Sequence, residues 1–132
     1  MTVLIVTETP LAWAPFAESL LQVNQAVRYV DTAALALEAC RANDKPLLIL
    51  WDDTFTGMTL RQHAIDIMMI DARIHQTACS AEAEEVFHEV TEGLGFLPAV
   101  PPTRSAIDAN RLIEALKKVH LGSPGNAALT FK

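Results

Sequence analysis

Two unbroken apolar runs, Val-Leu-Ile-Val at residues 3–6 and Pro-Leu-Leu-Ile-Leu-Trp at 46–51, stop abruptly at polar and acidic residues. A strand with one face in water alternates apolar and polar side chains, so runs like these belong to strands covered on both faces. Such cover comes from helices that cross over between parallel strands, and the intervening segments have the periodicity to supply them. Phe16, Leu20 and Val23 recur at helical spacing after Pro15, a residue suited to a first helical turn. A short second strand at 28–30 precedes Asp31 or Thr32 as the cap of a helix bearing Leu35, Leu37, Ala39 and Cys40, ended by Asn43-Asp44.

Beyond the central run, a loop containing Gly57 leads into a helix from about Thr59, with Leu60, Ala64, Ile67 and Met68 on one face. Residues 74–79 read as a more polar fourth strand, 82–92 as an acidic amphipathic helix ended by Gly93, and 96–100 as a fifth strand broken by Pro101-Pro102. Ser105 with Asp108 can box the start of a last helix carrying Ile107, Leu112, Ile113, Leu116 and Val119 and stopping at Gly122. The pattern predicts an α/β fold: a doubly wound five-stranded parallel sheet in the flavodoxin-like order 2-1-3-4-5, with helices on both faces. One domain over residues 1–122 and a flexible tail over 123–132 complete the expected organisation.

Composition narrows the function. Hydrophobic residues make up 51% of the chain, enough for a core closed on two sides, and the net charge is −6 with the ten basic residues scattered. That balance argues against nucleic-acid binding. No apolar run is long enough for a membrane helix and no basic leader precedes the first strand, so a cytoplasmic protein is expected. Cys40 and Cys79 lack metal-ligand spacing and read as small buried side chains. His63, His75, His88 and His120 share no face or ligand spacing, and no nucleophile–His–acid set is visible, so the chain does not read as an enzyme.

In parallel α/β sheets the chemistry lies beyond the carboxyl ends of the strands. Those ends carry Val6-Thr7-Glu8-Thr9-Pro10 and Trp51-Asp52-Asp53-Thr54-Phe55-Thr56-Gly57-Met58, with Glu8 and Asp52 44 residues apart. Together with Ala36-Leu37-Glu38 in the second helix, they make the chain resemble the receiver domains of two-component response regulators, over about residues 2–119. The resemblance implies that Asp52 stands at the phosphoacceptor position, with Glu8 and Asp52 as ligands of Mg²⁺. It implies a phosphate-following hydroxyl at Ser80, with Thr77 as the competing placement, and a switch aromatic at Phe96, where an apolar packing role is equally open. Leu97 is the alternative to Phe96.

Two departures remove charge that this chemistry uses. Thr7 stands where the family has a second acid, which should weaken Mg²⁺ binding. Ala99 or Val100 stands at the position of the family's lysine. Alternation along a strand should turn Asp53 away from the pocket. Arg104 lies close enough in sequence to reach back, though nothing in the sequence demands it.

The expected function is therefore a stand-alone receiver-like signalling domain of a phosphorelay, with phosphorylation at Asp52 impaired. Its partners would be a sensor histidine kinase, another signalling protein, or a second copy met through the fourth and fifth helices. A fully phosphorylatable Mg²⁺-dependent response regulator is the alternative. A flavodoxin-like small-molecule or cofactor protein ranks below both, because Thr7-Glu8-Thr9-Pro10 offers no glycine amides to cradle a phosphate.

Overall fold

The computed structural model describes residues 2–121. The stop expected at Gly122 and the tail expected over 123–132 lie outside them. Four parallel strands, β1 (Thr2–Val6), β2 (Ala26–Val30), β3 (Leu48–Trp51) and β4 (His75–Ala78), form a sheet in the order β2-β1-β3-β4. The helices are α1 (Ala14–Gln22), α2 (Ala33–Arg41), α3 (Gly57–Ile70), α4 (Glu84–Thr91) and α5 (Ala106–Leu121).

The apolar runs are buried on both faces because the strand pleat sends alternate residues to opposite sides. Val3, Ile5, Leu48 and Leu50 pack with Phe16 and Leu20 of α1 and Leu112, Ile113 and Leu116 of α5. Leu4, Val6, Ile49 and Trp51 pack with Ala36 and Cys40 of α2, Leu60 and Ile67 of α3, and Phe87 of α4. The sheet is thus wound on both faces, as the continuous runs require. Some apolar positions assigned to helix cores lie outside: Leu35, Val86, Ile107 and Val119 are exposed.

The polar character of β4 is resolved by pairing. Gln76 is buried, accepts the Trp51 indole N–H at 2.9 Å and donates to the Ala64 carbonyl at 3.0 Å, so both ends of its amide are satisfied. Burial pushes the Cys40 thiol up to about 11 and the Cys79 thiol up to about 12, which keeps both protonated at neutral pH.

The fifth strand is a correction. The segment runs along β4, yet only one bridge, Cys79 with Val100, has strand geometry. Its backbone bonds are Leu97 N–H to Gln76 O (3.0 Å), Val100 N–H to Ala78 O (2.9 Å) and Ser80 N–H to Val100 O (2.9 Å). Pro98 lacks an N–H, and Pro101-Pro102 ends the extended run, so no ladder can propagate. The buried Thr77 hydroxyl compensates, reaching the carbonyls of Leu97 at 3.0 Å and Pro98 at 2.9 Å.

Candidate functional site

The ladder carries on past the strand ends and sets the floor of the site. Thr7 N–H bonds Val30 O at 2.8 Å, Asp52 N–H bonds Val6 O at 3.0 Å, and Cys79 N–H bonds Trp51 O at 2.8 Å. Thr7, Asp52 and Cys79 therefore stand side by side at the carboxyl edge of the sheet. This is where the sequence places the acceptor position, and Asp52 is there with a side chain only 4% exposed.

The carboxylate of Asp52 is fully engaged. Oδ1 accepts from Arg104 Nη2 at 2.7 Å and from the Asp53 backbone N–H at 2.7 Å. Oδ2 accepts from the Thr7 hydroxyl and from the Trp13 indole N–H, the latter at 3.1 Å. Four donors, one of them a full positive charge, meet a group with about four acceptor positions. Burial on its own would raise the Asp52 pKa; the bonds from Arg104, Thr7, Trp13 and Asp53 outweigh it, and the net shift is downward.

Trp13 arrives here through a 3-10 turn over Pro10–Trp13, a stretch in which the sequence pattern predicts no element. Its ring is fully buried, edge-on to Phe16 with centroids 5.2 Å apart, and the Arg104 guanidinium lies 5.1 Å from its centre. Arg104 comes from the loop ahead of α5, with φ +47, and donates to Pro102 O at 2.9 Å as well as to Asp52. It also meets Asp53 Oδ2 at 3.2 Å, so Asp53 is not turned away as alternation along the strand implied. The strand has ended by then: β3 closes at Trp51, and residues beyond it no longer obey the pleat.

The remaining positions are dispersed. Glu8 is exposed in the loop after β1. Among the described residues, no three His, Cys, Asp or Glu side chains converge as a metal site needs. Mg²⁺ prefers oxygen ligands with free lone pairs, and those of Asp52 are taken by hydrogen-bond donors. The residues present do not fit the cation. Ser80 is half-buried just beyond β4, and its Oγ accepts the Glu82 N–H at 3.0 Å; it shapes the turn before α4 without capping that helix. Thr77, the competing hydroxyl, is committed to the two carbonyls beside it. Phe96 is half-buried with its ring centre 6.1 Å from that of Phe87. Ala99 and Val100 offer no charge at the lysine position, where Val100 bridges to Cys79.

The downward shift at Asp52 has a sign for stability. The folded protein keeps this carboxyl ionised at lower pH than the unfolded chain does, so its contribution is complete above about pH 4 and is lost as pH falls through the folded value. Native stability is expected to fall on acidification below about pH 4. An Asp52→Asn variant should show a shallower slope there in urea titrations at stepped pH, while Asp108, also shifted downward overall because its bonds with Thr103 and Ser105 outweigh burial, keeps its share.

Parallel strands in this order, with helices on both faces and an aspartate at the end of β3, give the fold of response-regulator receiver domains. Solved structures agree. The chain is similar to a two-component response regulator from Legionella pneumophila (TM-score 0.65, 14% identity, 89% of this chain and 98% of that one). It is similar to the N-terminal domain of a response regulator/sensory box/GGDEF protein from Carboxydothermus hydrogenoformans (TM-score 0.70, 23% identity, 92% and 98%). A fusion bearing the yeast Spc42 trimeric coiled coil also matches, with TM-score 0.75, 21% identity and coverage of 94% and 82%. No protein-family model and no curated protein matches the chain.

Proposed function

We propose that this chain is a receiver-like signalling module that acts through protein–protein contact, with Asp52 serving as a structural counterion instead of a phosphoacceptor. The observation that carries the reading is the fourfold engagement of the Asp52 carboxylate, Arg104 included. Phosphoryl transfer would require an Asp52 oxygen with a free lone pair to attack phosphorus while a cation draws charge from the phosphoryl oxygens. A guanidinium supplies charge and hydrogen bonds but cannot coordinate as a metal does.

A partner surface is available away from Asp52. A groove of about 460 Å³ runs between α4 and the segment after it, with Phe87, Phe96, Leu97, Pro98 and Pro101 along it and Glu82 and Glu84 at its rim. Exposed Ile107 and Val119 on α5 add apolar area nearby. A histidine kinase, another signalling protein or a second copy of the chain suits such a face. The proposed role is non-enzymatic and cytoplasmic; among the described residues no helix is long and apolar enough to cross a membrane.

The test is incubation with Mg²⁺ and acetyl phosphate followed by intact-mass measurement. The expected result is no phosphoryl adduct. Rapid stoichiometric labelling that disappears in Asp52→Asn would overturn the proposal in favour of a phosphorylatable regulator.

A further inference from the structure

We propose that the Arg104 guanidinium is the resident replacement for an external cation at Asp52, and that this pair ties the loop ahead of α5 to the ends of β1 and β3. The proposal rests on the reading of Asp52 as a non-acceptor and adds what holds the site shut and what that closure positions. The residues at the carboxyl edge reject a metal because a side chain of the same chain already neutralises the aspartate.

The backbone shows that Arg104 is held in place by its contacts. Its φ of +47 is a left-handed conformation that a residue with a Cβ adopts at a cost. Its Nε is buried without a hydrogen-bond partner, a second cost. Both are offset at the other end of the side chain, by Asp52, Asp53 and Pro102 and by the face of Trp13. No other described residue with a side chain has positive φ except Asn24.

The tie also reaches α5. Arg104 N–H bonds Pro101 O at 3.1 Å, which closes the turn. Directly after it, Ser105 N–H bonds Asp108 Oδ2 at 2.8 Å and Asp108 N–H bonds Ser105 Oγ at 3.2 Å, the reciprocal pair that starts the helix. Thr103, directly before Arg104, donates to the same Asp108 oxygen at 2.6 Å. The guanidinium therefore anchors a turn whose two flanks are both bonded to the first turn of α5. In this chain the position of α5 is coupled to an internal ion pair, and the coupling is permanent as long as Asp52 is ionised.

Amide hydrogen exchange of the whole protein tests this. Asp52→Asn and Arg104→Gln are each expected to speed exchange at the amides of 104–110 by about tenfold or more, the factor that a loss of about 1.4 kcal/mol of local stability gives. Amides of β1 and β3 exchange through global unfolding and should speed up by no more than the loss of global stability that urea denaturation reports, whereas those of 104–110 change through local opening as well. The double variant should exchange about as fast as either single one, because the second change removes an interaction already lost. Unchanged exchange over 104–110, or effects that simply multiply in the double variant, would overturn the tie. Should a single variant fail to fold, the native protein carries the test: millimolar Mg²⁺ is expected to leave tryptophan fluorescence and exchange over 104–110 unaltered, and a saturable change in either would overturn the proposal. Phosphoryl labelling of Asp52 would defeat the proposed function, whereas unaltered exchange in the variants would defeat the tie, so the two failures are distinguishable.

Discussion

Replacing Asp52 by Asn is expected to destabilise the protein by roughly 3 kcal/mol, the low end of the cost of breaking a buried ion pair, because Arg104 keeps the half-exposed Asp53 as a partner. Both members are enclosed: the Asp52 side chain is 4% exposed and that of Arg104 14%. The amide brings a second difficulty. Its NH₂ must face either Arg104 Nη2 and the Asp53 N–H or the Thr7 hydroxyl and the Trp13 N–H, and of these only the hydroxyl can turn to accept. For a chain of 132 residues the loss corresponds to a fall in Tm of roughly 10 °C or more. The sign is the informative part. In a pocket of clustered carboxylates, removing one charge relieves repulsion, and the variant would be neutral or more stable. Urea denaturation near neutral pH separates the cases, and a variant as stable as the native protein would contradict the ion-pair reading.

The second large effect is a gain. Combining Thr7→Asp with Arg104→Ala is expected to make the protein respond to Mg²⁺, while the native chain does not. Thr7 Oγ1 touches Asp52 Oδ2, so a carboxylate at residue 7 would stand against that of Asp52 with no guanidinium to neutralise either. Two adjacent carboxylates without a counterion form a strained pair that a hard divalent cation relieves. At a free concentration about 100 times its Kd, Mg²⁺ would stabilise the variant by about 2.7 kcal/mol, readable as a rise in Tm. Arg104→Ala alone should be less stable than the native protein and respond less to the cation. A double variant whose Tm is indifferent to Mg²⁺ would mean that Arg104 is not what excludes the metal.

The two expected results share one cause, namely that the cation at Asp52 belongs to the polypeptide. Asp108 adds to the stability of that arrangement, because it fastens the loop that delivers Arg104 to the first turn of α5 through Thr103 and Ser105. Trp13 contributes from the other side by filling the space above the aspartate and lending its ring to the guanidinium.

Much of the architecture was legible in the residues. The runs at 3–6 and 46–51 are apolar at every strand position, and only a sheet covered on both faces buries them, so the parallel α/β fold followed from their pattern. Asp52 was located by its strand end, the Thr56-Gly57-Met58 run that follows it and its spacing from Glu8. The fifth strand was misread because its hydrophobicity is genuine, as buried Leu97 and Val100 show, whereas a ladder also needs N–H groups that Pro98 cannot supply. Trp13 went unnoticed because an aromatic residue in a loop after β1 carries no periodicity. Its only signal is a large apolar side chain where the fold brings loops together.

The local rules of the chain thus settled its four strands, its five helices and the edge of the sheet at which Asp52 stands, because hydrophobic period and strand termination are properties of neighbouring residues. Which charge meets that carboxylate was decided in three dimensions. Arg104 is 52 residues away and Trp13 39, and neither distance has a pattern to detect. Only closure of the sheet and the docking of α1 and α5 on one face bring the two loops over Asp52. The energy of a buried ion pair depends on that geometry and on the exclusion of water, and no local stretch of sequence contains either.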